Sequence, residues 1–221
     1  YACVDEMWHP MIPTDRVRTN SIRLGGSPET PRNGIITGPN AAGKSVSMKA
    51  LLVNIIFAQA FGIGFAKSLK FTPFKKIIAQ FGSADDTAND QSKFMYEATS
   101  VVDLLKQLQT LSAEDKALVF TDELFSGTEV TPAILLSVEL CSRVSLLKNV
   151  CYILATHYKD LTQLKELTNN GFENFKVTAT VDENSHITYP FKLLYGVGDT
   201  NVAFDIFLDQ MRKQGVDDPE L

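Results

Sequence analysis

Cysteine is scarce in this 221-residue chain. Cys3, Cys141 and Cys151 are odd in number and lack the spacing of a metal site. Neither a disulfide framework nor a structural zinc centre organises such a fold, and the three thiols read as reduced, mostly buried residues of a cytoplasmic protein. Positive charge is also in short supply. Lys and Arg number 21 against 26 Asp and Glu, which gives a net charge of −5 and an isoelectric point near 5.2. That balance argues against a strongly basic nucleic-acid surface and leaves room only for a small local patch. No secretory signal opens the chain and no apolar run reaches the 18 residues of a membrane span, so this segment reads as soluble and without membrane contact. Internal repeats and low-complexity tracts are missing as well. What is present is ordinary for one sizeable globular domain: 44% apolar and 21% charged residues, enough to bury a core. The chain opens on Tyr1 rather than methionine, as expected of one part of a longer protein.

Against that background one segment stands out. Gly38-Pro39-Asn40-Ala41-Ala42-Gly43-Lys44-Ser45 fits the phosphate-binding pattern G-x-x-x-x-G-K-[ST]. It follows a short apolar run, Gly34 to Thr37, and precedes a long one, Met48 to Phe61, so a strand, a tight turn and a helix are predicted in the order the motif needs. Glycine at 38 and 43 permits backbone torsions that turn successive N–H groups toward an anion. A helix starting near Lys44 adds the positive end of its dipole. Lys44 then reaches the β- and γ-phosphates, and the Ser45 hydroxyl ligates magnesium. The bland alternative is a glycine-rich turn with a solvated lysine.

A second element answers that alternative. Ala117 to Thr121 reads as a buried strand of a parallel sheet that ends in two acids, Asp122 and Glu123. In a nucleotide site Asp122 holds magnesium through its water shell and Glu123 polarises the attacking water. His157 again follows an apolar strand, Cys151 to Thr156, at the edge where open α/β sheets place ligands, and a histidine there can donate to a γ-phosphate. Each of these also has a structural reading, as acids solvated past a strand end or as a packing histidine. Two halves of one site a domain-length apart favour the functional reading.

Around these motifs the chain organises simply. Residues 1–32 read as a loop-dominated lead-in with one or two short strands. Gly62 to Phe74 is a connecting segment, and Lys76 to Phe81 is a strand. Ser83 to Gln91 is an acidic loop, either nucleotide-responsive or an ordinary linker. Phe94 to Leu108 forms an amphipathic helix with Ser92 as its N-cap. Glu129 to Leu147 is a helix that tolerates Pro132 in its first turn. Phe172 to Thr180 and His186 to Leu194 form a peripheral β-hairpin, Asn201 to Lys213 a last helix, and residues 214–221 a loose tail. His9-Pro10 reads as a turn, and Lys67, Lys70, Lys75 and Lys76 as a solvated basic face.

Taken together the motifs resemble those of MutS ATPase domains, which belong to the ABC class of P-loop ATPases. The likeness is carried by the phosphate loop, Gly82-Ser83-Ala84-Asp85-Asp86, Gln91 to Glu97, the acidic strand with Ser126-Gly127-Thr128, and Ala155-Thr156-His157-Tyr158. It runs from His9-Pro10 to about Leu208. The resemblance implies an α/β fold with a largely parallel sheet flanked by helices, spanning residues 33–213, and ATP with Mg2+ as the ligands. It also implies a homodimer in which Ser92 and its backbone contact the γ-phosphate of the opposite subunit. Departures are specific. Ala41-Ala42 stand where the family usually has methionine and glycine, and Lys93 stands for threonine. Leu124 to Thr128 replaces Ile-Gly-Arg-Gly-Thr, Val17 falls where many members stack an aromatic ring on adenine, and Asn201 lies in the region of a usual Ser-Tyr-Gly. This pattern looks closer to divergent bacterial MutS-like proteins than to mismatch-recognition enzymes. The implied activity is ATP hydrolysis coupled to DNA repair, with DNA reached through domains outside this chain. Two alternatives stay open: a nucleotide-switched binding module with little turnover, and an ATPase that drives a membrane or protein machine.

Overall fold

The computed structural model describes residues 1–81, 90–181 and 187–198, together with 207 and 211. The first half contains β1 (Ala2–Met7), β2 (Asn20–Leu24), β3 (Asn33–Thr37), α1 (Lys44–Phe61), β4 (Ser68–Phe71), β5 (Lys76–Phe81) and α2 (Asp90–Gln109). The second half contains β6 (Ala117–Asp122), α3 (Val130–Ser145), β7 (Val150–Thr156) and a 3₁₀ turn (Lys159–Gln163) that leads into the short α4 (Leu164–Leu167). It continues with β8 (Phe172–Lys176), β9 (Thr180–Val181), β10 (Ile187–Thr188) and β11 (Leu194–Tyr195).

Six strands form the central sheet in the order β11-β8-β3-β7-β6-β5, parallel except for β11. Every residue of β3 and β7 is buried, as expected for strands covered on both faces. Alternate side chains go to opposite cores. Ile36, Leu118 and Phe120 pack with Met48, Leu51 and Ile55 of α1. Ile35, Ala117 and Val119 pack with Leu104 and Leu108 of α2 and Leu140 and Val144 of α3. The register aligns the strand ends, with Thr37 beside Thr156, Asp122 beside Ala155, and Phe81 beside Asp122. The loops after these strands therefore share one edge. The mixed α/β layering and mostly parallel sheet match the expectation from sequence.

Three differences have physical causes. Gly62 to Phe74 is not only a connector: it contains β4, which joins β2 and β1 in a second, antiparallel sheet packed on α1. β4 is half-exposed and carries Lys70, so its apolar pattern is weak, and its pairing partner lies far away in the chain. Phe172 to Thr180 is only in part the arm of a peripheral hairpin. It does pair antiparallel with the later stretch, Thr180 with Thr188 and Lys176 with Leu194, but Phe172 and Phe175 are buried in opposite cores, so it also enters the central sheet as β8 beside β3. Finally, α2 already starts at Asp90, which puts Ser92 in its first turn rather than at its cap. Pro132 does lie in the first turn of α3. Gly82 to Asp86, the loop expected from Ser83 and the helix expected from Asn201 lie outside the described residues, except that Phe207 and Met211 are helical. Among the described residues no helix is long and apolar enough to cross a membrane.

Candidate functional site

The loop between β3 and α1 is held by its glycines. Gly38 has φ 148°, and a Cβ there would sit 2.3 Å from the Val177 carbonyl oxygen and 2.6 Å from Val177 Cγ2. The chain beyond β8 runs that close because the Val177 N–H donates to the Thr37 carbonyl at 2.9 Å. Gly43 caps α1 in the left-handed region, at φ 101°. Lys44 is 5% exposed, and its ammonium donates to the carbonyls of Gly38 (2.8 Å) and Pro39 (3.2 Å) and to Asn40 Oδ1 (3.2 Å). Burial pulls its pKa below the usual lysine range, and the nearby Glu123 and Asp122 carboxylates oppose that shift.

The acid pair sits across from this loop. Burial raises the Asp122 pKa, the adjoining Ser45 side chain pulls it back, and the Glu123 charge pushes it up further. Glu123 is left-handed at φ 54° without being glycine, and so is Phe125 at φ 56°. The Glu123 N–H donates to the Ala155 carbonyl at 3.0 Å, which ties the turn to the end of β7. There His157 Nδ1 lies 3.7 Å from Glu123 Oε1, and the His157 ring packs on Tyr158 with centroids 4.1 Å apart. The expected base and histidine are thus brought together on neighbouring strand ends.

One cavity of about 560 Å³ joins these parts. Its walls include Pro39, Asn40, Ala41, Gly43, Lys44 and Ser45 on one side, and Asp122, Glu123 and Ser126 on the other. Gly38 and Ala42 are buried behind it. Val17 is half-buried on the segment before β2 and is not part of the lining. Phe191, which sequence reasoning missed, is. Asn20 positions it: the Asn20 amide donates to the Phe191 carbonyl (3.1 Å), and its Oδ1 accepts from the Leu193 N–H (2.7 Å). A Cβ on Gly43 would lie 3.1 Å from Phe191 Cδ1. No periodicity marks this position; the only local signal was an aromatic pair, Tyr189 and Phe191, around Pro190. Lys93 also lines the cavity. His9-Pro10 forms a turn, closed by the Ile12 N–H on the His9 carbonyl. Three lysines of the basic cluster make exposed contacts, Lys67 with Glu6, Lys75 with Asp115 and Lys76 with the Gln107 carbonyl, as expected of a solvated face.

The sequence model of MutS domain V matches residues 34–209, from β3 past β11. The chain belongs to the MutS family. The DNA mismatch repair protein MutS of Streptococcus sanguinis (strain SK36) is 30% identical over 172 residues, 78% of this chain and 19% of the relative. Endonuclease MutS2 of Alkaliphilus metalliredigens (strain QYMF) is 29% identical over 199 residues, 90% of this chain and 24% of the relative. Endonuclease MutS2 of Alkaliphilus oremlandii (strain OhILAs) is 29% identical over 211 residues, 95% and 25% respectively. Relatives of both names therefore match to the same degree, and this chain spans about a fifth to a quarter of their length. The matched stretch of this MutS domain V holds Lys44, Ser45, Asp122, Glu123, His157 and Phe191.

Proposed function

We propose that this domain is an ABC-type P-loop ATPase that binds Mg-ATP and hydrolyses it. The observation that carries this reading is the convergence of Lys44, Ser45, Asp122 and Glu123 on one cavity beyond the carboxyl ends of the parallel strands. The glycine loop turns its amides and the start of α1 toward the phosphates, where Lys44 exchanges its loop carbonyls for phosphate oxygens. The Ser45 hydroxyl and Asp122 carboxylate are hard oxygen donors set side by side, which suits a magnesium ion. Among the described residues no cluster of three or more acids, histidines or cysteines forms, as fits an ion held mainly by phosphate and water. When bound, that ion neutralises charge on the phosphates. Glu123 accepts a proton from the attacking water, and His157 donates toward the terminal phosphate while lying against Glu123. Phe191, which lies over Gly43 on the cavity wall, offers an aromatic face for the base, a role Val17 could share only as a flat apolar contact.

Closure of two such domains, each site completed by Ser92 of the other, is the expected working form, and the useful output is opening and closing rather than the chemistry. Coupling to DNA repair rests on the relatives' names and on length outside this chain. The test is Mg-ATP hydrolysis per subunit over a range of protein concentrations, with and without duplex DNA, beside Lys44→Ala. A rate that climbs with concentration and disappears in the variant supports composite sites, and stimulation by DNA supports the repair role. A flat background that Lys44→Ala leaves unchanged would reject the ATPase reading.

A further inference from the structure

We infer that Glu97 of α2 is a positioning residue for hydrolysis: its carboxylate clamps the far end of the turn after β6 and so aims Glu123. The inference rests on the nucleotide reading above and deepens it. Asp122 and Glu123 have open space on both sides. They line the nucleotide cavity and also a second cavity of about 260 Å³, whose walls include Phe81, Ser100, Val101 and Phe125. Close packing therefore does not by itself fix the two acids. Glu123 moreover keeps a left-handed backbone, at φ 54°. Such a torsion on a residue with a side chain persists only where the surrounding chain is tied down.

The ties lie at the two ends of the turn. At its start the Glu123 N–H donates to the Ala155 carbonyl at 3.0 Å. At its end Glu97 uses both carboxylate oxygens: Oε1 accepts from the Ser126 hydroxyl at 3.0 Å, and Oε2 from the Gly127 N–H at 3.2 Å. Phe94, on the same helix, meets Phe125 in the middle of the turn, with ring centroids 6.3 Å apart. Glu97 is half-buried and shares the wall of the second cavity with Asp122 and Glu123, where a third carboxylate adds repulsion. Its two charge-assisted hydrogen bonds to neutral donors offset that cost, and they hold the loop without neutralising either acid. The aim of Glu123 is thus set from α2.

The test is Mg-ATP turnover at a protein concentration where the native rate no longer rises. Glu97→Ala is expected to lower kcat about tenfold or more and to leave KM for ATP within about twofold, because Lys44 and Ser45 stand on the other wall. Glu97→Gln keeps the reach and one carbonyl acceptor, so it recovers most of the rate. Glu97→Asp keeps the charge on a shorter arm and stays slow. This pair decides the matter even where alanine disturbs folding, and aspartate recovering better than glutamine would overturn the inference. The sharper readout repeats Glu97→Ala in a Glu123→Gln background, in single turnovers with protein in excess. A residue that acts through Glu123 lowers that residual rate by less than about twofold. A full drop there would assign Glu97 to the packing of α2 alone, and an unchanged kcat in Glu97→Ala would reject the role outright. Lys44→Ala separates the two levels: if it leaves hydrolysis intact, the nucleotide reading itself fails. If it abolishes hydrolysis while Glu97→Ala keeps the native rate, only the role of Glu97 fails.

Discussion

The two loops that face each other across the cavity solve one backbone problem in opposite ways. Between β3 and α1 the unusual torsions fall mainly on glycine, at Gly38 and Gly43, with Ala41 at φ 64° the exception. After β6 they fall on residues with side chains, Glu123 and Phe125, for which a left-handed backbone costs about 1–2 kcal/mol each. The first loop needs bare backbone, because its work is done by N–H groups and a helix end. The second must carry a carboxylate at the sharpest point of the turn, so strain is retained there. Rigid strands on either side, and the hydrogen bond from the Glu123 N–H to Ala155, hold it in place.

The strongest way to break the comparison is Gly38→Ala. The new methyl meets the Val177 carbonyl, which is backbone and cannot swing aside. The expected loss is about 3 kcal/mol or more, read as a drop in the denaturant midpoint, together with loss of ATP binding. Stability close to the native value would show that the loop does not need its glycine. On the acid side, Glu123→Gly and Glu123→Gln make a matched pair. Both are expected to lower turnover by about 100-fold or more, while ATP still binds. They differ in stability. Glycine relieves the left-handed strain and keeps stability at or up to about 1 kcal/mol above native, although a glycine in regular backbone ordinarily destabilises by a similar amount. If Glu123→Gly is clearly less stable than Glu123→Gln, the turn at Glu123 is not strained.

The same contrast explains what could be read from the sequence. Gly38, Gly43 and Lys44 were legible because a local pattern encodes a local shape, and Asp122 and Glu123 because an apolar strand ends on them. Pro132 marked the first turn of α3, and His157 the end of β7. The left-handed backbone of Glu123 and Phe125 carries no such mark, since neither residue favours it. Long-range pairings were hidden for a related reason. β4 declares itself only beside β1, and β8 only beside β3, through the burial of Phe172 and Phe175 on opposite faces. Phe191 is the clearest case. Asn20, from the other end of the chain, fixes it over Gly43 through two hydrogen bonds that no short window of sequence contains.

That placement of Phe191 gives a third, smaller test. Phe191→Ala removes an aromatic face that is 43% exposed at the cavity, so folding stability is expected to change little. If the ring stacks on the base, affinity falls for ATP and ADP alike, by about tenfold, which is the usual effect of losing one stacking partner. Equal loss for both nucleotides is the mark of a contact with the base rather than with the terminal phosphate. An unaltered affinity, or a loss confined to ATP, would remove Phe191 from the base end and bring Val17 back into consideration.

The smallest effect concerns Asp122, where function and stability pull in opposite directions. Burial holds its carboxyl above the ordinary carboxylate range, so near neutral pH the ionised form is kept in the fold at a cost that the unfolded chain does not bear. For a group with a raised folded pKa, its stabilising contribution is complete below the unfolded value and is lost as pH rises through the folded one. Asp122→Asn removes that loss. The variant is expected to melt a few degrees higher than the native chain at about pH 7, and the gain should shrink as pH falls through the carboxylate range, where Asp122 itself becomes neutral. Magnesium-dependent turnover is lost at the same time. A variant that melts lower at neutral pH would mean that the contact with Ser45, which favours the ionised form, outweighs burial, and that the acid stabilises the fold as well as the site.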